Sequence, residues 1–194
     1  MDNIPVKLAR PLIVEFVSGP SAGKSTTALG LAYKLKMAGV NIEYLPERAK
    51  SFTWRGDMQT LSFQPYVTAK QMRDVYDLCR EVNDLKAIIT DTSVALGIVY
   101  QGFGCGPLFE EWVKSVQAEF DIRTYYVVRN INKHKYNTKG RRQTKDEAIE
   151  LDNKVLEMLN LHNIPYETLE FNGEEGVEML FQRTMEELKA SNRV

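Results

Sequence analysis

Leu12-Ile13-Val14-Glu15-Phe16-Val17 is an apolar run interrupted once, and it leads directly into Ser18-Gly19-Pro20-Ser21-Ala22-Gly23-Lys24-Ser25. A short run of this kind, bounded by a glycine-containing turn, predicts a strand covered on both faces. The stretch that follows, Lys24 to Ala38, carries Ala28, Leu31, Ala32 and Leu35 on one helical face and meets a stop at Gly39. Buried strand, tight turn and helix in that order oblige the chain to return for a parallel neighbour, which confines the fold to the α/β class.

The rest of the chain repeats the alternation. Ile42 to Leu45 reads as a second strand ended by Pro46, and Ala87 to Thr90 as a third running into Asp91. Arg123 to Val128 and Tyr166 to Phe171 read as the fourth and fifth. Between the second and third strands lie a polar-aromatic stretch, Phe52 to Gln64, and a helix from about Pro65 to Asp84. A short helix is expected over Thr92 to Tyr100, then a break at Gly102, Gly104 and Gly106, then a helix over Pro107 to Phe120 in which Trp112 and Phe120 look like core. Asp146 to His162 sets Ala148, Leu151, Val155, Met158 and Leu159 on one stripe, and a last helix carries Val177, Leu180, Phe181, Met185 and Leu188. The expected fold is a three-layer α/β domain spanning residues 1–194, with a five-stranded parallel sheet, helices on both faces and a basic lid at about 129–145.

Composition narrows the function classes. The chain has 194 residues, 43% apolar and 26% charged, which suits one soluble folded domain rather than a disordered segment. A net charge of -1 supplies no global field for nucleic acid or acidic lipid, so any affinity for polyanions must be local. Cys79 and Cys105 form no C-x-x-C pair, and two histidines offer little for zinc, so reduced thiols in a cytoplasmic setting are expected. No basic start leads into a long apolar run, so neither a secretory signal nor a membrane span is expected.

In parallel sheets ligands bind beyond the carboxyl ends of the strands. The turn from Ser18 to Ser25, with Thr26 continuing the helix start, occupies such an end. Its backbone N–H groups and the helix N-terminus suit a phosphate chain, so Ser18, Gly19, Pro20, Ser21, Ala22, Gly23, Lys24, Ser25 and Thr26 are expected to bind ATP. Lys24 would reach the β- and γ-phosphates, and the Ser25 hydroxyl would sit on Mg²⁺. The usual pattern is G-x-x-x-x-G-K-[ST]. Here Ser18 stands at its first glycine, and Gly19 lies one place later.

Two acids follow strands. Asp91 is suited to hold Mg²⁺ or to cap the next helix. Glu47 is suited to take a proton from an attacking hydroxyl, or simply to open a helix. Arg48 beside it could meet an acceptor phosphate or stay solvated. Arg129, Lys133, Lys135, Lys139, Arg141, Arg142 and Lys145 make a basic segment after the fourth strand. Arg141 and Arg142 are its best candidates for clamping transferring phosphate oxygens, although contact with a nucleic-acid backbone is an equally physical use of such charge. Phe52, Trp54, Phe63, Gln64 and Tyr66 would form an aromatic wall with one amide, suited to a flat heterocycle, or they would pack the core.

These residues together resemble the P-loop nucleoside and nucleotide kinases, including thymidylate kinase-like and deoxynucleoside kinase-like proteins. The resemblance rests on Ser18 to Ser25, Pro46-Glu47-Arg48, Phe63-Gln64-Pro65-Tyr66, Asp91-Thr92-Ser93 and Gly140-Arg141-Arg142. It implies that Glu47 is the base or acceptor-orienting group, that Gln64 binds a nucleobase, that Asp91 works with Glu47, and that the lid arginines hold ATP phosphates. Thr92 stands where that family places an arginine, which implies an unusual acceptor. The chain also resembles small phage-encoded kinases often described only as ATPases; thymidylate kinase-like phage enzymes include kinases that phosphorylate 5-hydroxymethyluracil within DNA, and the basic segment would suit such a polyanion. The acceptor is thus a free nucleoside, a monophosphate or a modified base in DNA, and a homodimer is compatible with the reading. Two further classes stay open: an NTPase that uses water, and a nucleotide-switched nucleic-acid-binding module.

Overall fold

The structure is a computed structural model that describes residues 10–100, 106–128, 144–170 and 172–194. Five strands, β1 (Leu12–Val17), β2 (Ile42–Leu45), β3 (Ala87–Thr90), β4 (Asp121–Val128) and β5 (Glu167–Glu170), form one sheet in the order β2-β3-β1-β4-β5. Every pairing is parallel. The central strand β1 is paired on both sides, Leu12 opposite Ala87 of β3 and Leu12 opposite Asp121 of β4, and all six of its residues are buried.

The two faces of β1 meet different helices. Leu12, Val14 and Phe16 pack into one cluster with Ala28, Leu31, Ala32 and Leu35 of α1 (Lys24–Met37) and with Leu180 and Leu188 of α8 (Glu174–Ala190). Gly30 lets those two helices approach, because a Cβ there would lie 3.0 Å from both methyls of Val177. Ile13 faces the other way, against Val75 and Cys79 of α4 (Gln64–Glu81). Val17 meets residues of α5 (Leu96–Val99), α6 (Pro107–Glu119) and α7 (Lys145–Leu161). These are the three layers that the strand–helix alternation requires. Among the described residues no helix is long and apolar enough to cross a membrane.

Several local expectations change. Most of the stretch Phe52 to Gln64 is helical, as α2 (Arg48–Trp54) and α3 (Met58–Ser62), with the Asp57 side chain accepting from Thr60 N at 3.1 Å to cap α3. The helix expected over Thr92 to Tyr100 is confined to Leu96–Val99. Trp112 is 38% exposed, its ring tilted against Phe109 with centroids 5.9 Å apart, so it is not core, whereas Phe120 does pack against the Ile13 cluster. On α7 the buried stripe is Ala148, Asp152, Val155, Met158 and Leu159. Leu151 is only half-buried, because a 3.6-residue period carries position 152 inward. Cys105, Gly102, Gly104, Phe171 and the basic segment 129–143, with Arg129, Lys133, Lys135, Lys139, Arg141 and Arg142, lie outside the described residues.

Candidate functional site

The carboxyl ends of β1, β2 and β3 open into one cleft of about 720 Å³. The phosphate-loop residues Ser18 and Pro20 to Thr26 line one end. Glu47, Arg48, Lys50 and Trp54 of the β2–α2 segment line a side, with Gln64, Thr68 and Gln71 of α4 and Leu96, Gly97 and Tyr100 around α5. Gly19 is buried behind the loop.

The geometry of the loop suits an anion. Ser21 and Gly23 adopt left-handed backbone, φ 70° and 104°, which turns successive N–H groups toward one side. Helix α1 then starts with no capping side chain and no acidic residue in its first turn. Its leading N–H groups and positive dipole end therefore face the cleft with no acidic residue in the helix's own first turn. The Ser21 hydroxyl is buried with no hydrogen-bond partner among the described residues. Lys24 Nζ donates to the carbonyls of Ser18 and Gly19, 2.9 Å each, so the ammonium lies over the loop it would serve.

Asp91 joins the two halves of the site. It is 2% exposed. One carboxylate oxygen accepts from the Ser25 hydroxyl, and the other accepts from the Glu47 backbone N–H at 3.0 Å. It does not cap a helix, since α5 begins at Leu96 with Ala95 before it. Ser25 and Asp91 are hard oxygen donors meeting at one strand end, which fits Mg²⁺ in a site completed by phosphate and water. No group of three or more metal-binding His, Cys, Asp or Glu side chains exists among the described residues. Burial, then the charges of Asp91 and Glu47, holds the Tyr44 phenol well above its usual range. Burial likewise pushes Tyr100 up to about 12, helped by the Glu47 and Asp152 carboxylates.

The acceptor side differs from the expected wall. Trp54 lines the cleft and is 73% exposed, and Lys50 Nζ sits 5.9 Å from its ring centroid. Gln64 lines it too, buried, its Nε2 donating to Leu61 O at 2.8 Å. Phe52 turns into the core, 6.2 Å from Tyr66, while Phe63 and Tyr66 are exposed and none of the three lines the cleft. The cause is helical geometry: Phe52 and Trp54 are two apart on α2, so they point to opposite sides. Arg48 is claimed by Asp74, which takes its Nε and, at 2.7 Å, its Nη2, and the Arg48 backbone N–H donates to Gln71 Oε1 at 2.9 Å.

Sequence reasoning missed Gln71, Thr68, Tyr100 and Asp152. A signal existed for the first two. The buried residues of α4 are Gln64, Val67, Thr68 and Gln71 along the cleft, three of the four polar, and then the apolar Val75 and Cys79, where the helix leaves the cleft for the core.

Comparison with known proteins agrees with this architecture. A thymidylate kinase structure from Ehrlichia chaffeensis superposes with TM-score 0.55 at 14% identity, covering 92% of this chain and 99% of that one. The Mycobacterium tuberculosis APS kinase CysC, solved in complex with AMPPNP and APS, superposes with TM-score 0.50 at 12% identity and the same coverage of 92% and 99%. The fold is therefore that of the P-loop kinases. No curated protein matches the chain. The family described as AAA domain matches residues 14–175, a span from within β1 to the start of α8 that takes in every described part of the cleft, and the chain belongs to that family.

Proposed function

We propose that this protein is an ATP-dependent kinase that transfers the γ-phosphate to a hydroxyl on a nucleoside-like acceptor, with the hydroxymethyl group of 5-hydroxymethyluracil in DNA as the favoured target. The observation that carries this reading is the linkage Ser25–Asp91–Glu47, in which one buried acid ties the phosphate loop to the backbone N–H of Glu47, the residue at the acceptor side. In this reading the loop amides and Lys24 bind the triphosphate, and Ser25 and Asp91 hold Mg²⁺. The metal would supply charge neutralisation at the phosphate oxygens. Glu47 accepts the acceptor's hydroxyl proton. The freed oxygen bonds to the γ-phosphorus as the bond to the bridging oxygen breaks, leaving ADP. Arg141 and Arg142 keep their proposed role at the phosphates.

Charge argues for an acceptor that brings a base rather than a terminal phosphate into the cleft. Thr92 replaces the arginine expected beside Asp91, and Arg48 is engaged by Asp74. The cleft beyond Glu47 is instead lined by Met58, Leu61, Val67 and Leu96 with the amides of Gln64 and Gln71, which suits a neutral base. Trp54, exposed at the same cleft beside Lys50, suits a base still attached to a polyanion. The AAA-domain family favours a second reading, an NTPase in which Glu47 orients water.

The test offers γ-labelled ATP and Mg²⁺ with nucleosides, nucleoside monophosphates, 5-hydroxymethyluracil DNA or no acceptor. Label in the DNA supports the proposal, label in a free nucleoside corrects the acceptor, and label only in inorganic phosphate replaces the kinase with the NTPase. Lys24→Ala should abolish transfer. Glu47→Gln should slow it far more than it weakens ATP binding, and equal loss of both would make Glu47 structural.

A further inference from the structure

The Gly19 peptide is gripped from both sides. Its carbonyl accepts from Lys24 Nζ at 2.9 Å. Its N–H donates to Oδ1 of Asp152, which comes from α7, 133 residues further along the chain. Asp152 is 7% exposed, and the helix lies so close that a Cβ at position 19 would sit 2.6 Å from Ala148 O and 2.8 Å from Asp152 Oδ1. This explains the glycine at 19: contact with α7 demands the missing side chain there.

The two grips differ in what a nucleotide would do to them. In the ATP reading Lys24 would turn from the Ser18 and Gly19 carbonyls toward a phosphate, loosening its two bonds to the loop. The bond to Asp152 comes from α7 and does not involve Lys24, so such an exchange would leave it in place. A buried carboxylate beside a polyanion site carries an electrostatic cost, and a charge-assisted bond to a loop amide is the compensation visible in this geometry.

Resting on the ATP reading above, we propose that Asp152 is a positioning residue that keeps the phosphate loop in its binding shape while Lys24 turns from the loop to the nucleotide. The measurement is calorimetric titration of the whole chain with a non-hydrolysable ATP analogue and Mg²⁺, alongside steady-state kinetics. Asp152→Ala should weaken analogue binding about tenfold, the effect of losing a charged hydrogen bond. It should raise KM for ATP in parallel and leave KM for the acceptor unchanged. Asp152→Asn, which retains an acceptor oxygen, should recover binding to within about threefold. A helix-packing role alone would lower Tm, shift both KM values and show no rescue by asparagine, and that pattern overturns the proposal. So does unchanged binding in Asp152→Ala. Should that variant not fold, amide hydrogen exchange decides with Asp152→Leu, which has a similar shape and no acceptor oxygen: Gly19 N–H should exchange several-fold faster than in the wild type while α7 amides do not, and an unchanged Gly19 overturns the idea. If the wild type binds no analogue, the ATP reading fails and this proposal with it. If the wild type binds and Asp152→Ala binds equally, only the positioning role fails.

Discussion

Glu15 lies in the middle of the central strand, on the face opposite α1, and is 3% exposed. Thr124 Oγ1 donates to it at 2.7 Å, and Gln117 Nε2 lies 3.5 Å away. Burial pushes its carboxyl from 4.5 up to about 7, and the hydrogen bonds from Thr124 and Ser93 offset only part of that. The folded protein therefore keeps this proton over a pH range in which the unfolded chain has lost it. The resulting stability is complete below about pH 4.5, falls as pH rises and is gone above about pH 7. At about 1.4 kcal/mol per pH unit, the loss between pH 5 and pH 8 is about 2–3 kcal/mol. Glu15→Gln replaces the carboxyl by a neutral amide of the same shape and removes the window. Urea unfolding of both proteins at pH 5, 6, 7 and 8 isolates the effect, because every other titrating group cancels in the difference. The wild type should lose stability relative to Glu15→Gln by that amount as pH rises. Parallel curves would refute the argument and mean that Glu15 is ionised and satisfied in the fold.

Three other outcomes follow from the cleft. Asp91→Asn should cut phosphate transfer about 100-fold while metal-free nucleotide binding stays within about threefold, measured by single-turnover kinetics and titration. Trp54→Ala should raise the acceptor KM about tenfold, the worth of one base stack, with no change in Tm because the ring is 73% exposed. Asp74→Asn should cost less than about 1 kcal/mol in urea unfolding, since Arg48 is itself exposed, yet it should raise activity on a phosphorylated acceptor relative to an unphosphorylated one by releasing the guanidinium.

What could be read from the chain, and what could not, divides along contact distance. Strand β1, the loop after it and helix α1 are contiguous, and local rules of burial, turning and helix stopping act within such a stretch, so their boundaries emerge from the sequence within a residue. Asp91 and Glu47 were legible for a different reason. A parallel sheet gathers the ends of its strands, so a polar residue just past a strand is placed at the cleft by topology alone. The aromatic wall failed because which way a helix faces depends on what it packs against. That choice sent Phe52 inward and Trp54 outward. The engagement of Arg48 by Asp74, the buried carboxylate of Glu15, and the bond from Gly19 to Asp152 join residues 26, 109 and 133 positions apart, Glu15 through its contact with Thr124. No local pattern encodes such pairs. They arise only when the layers close and leave a polar group facing a partner instead of water.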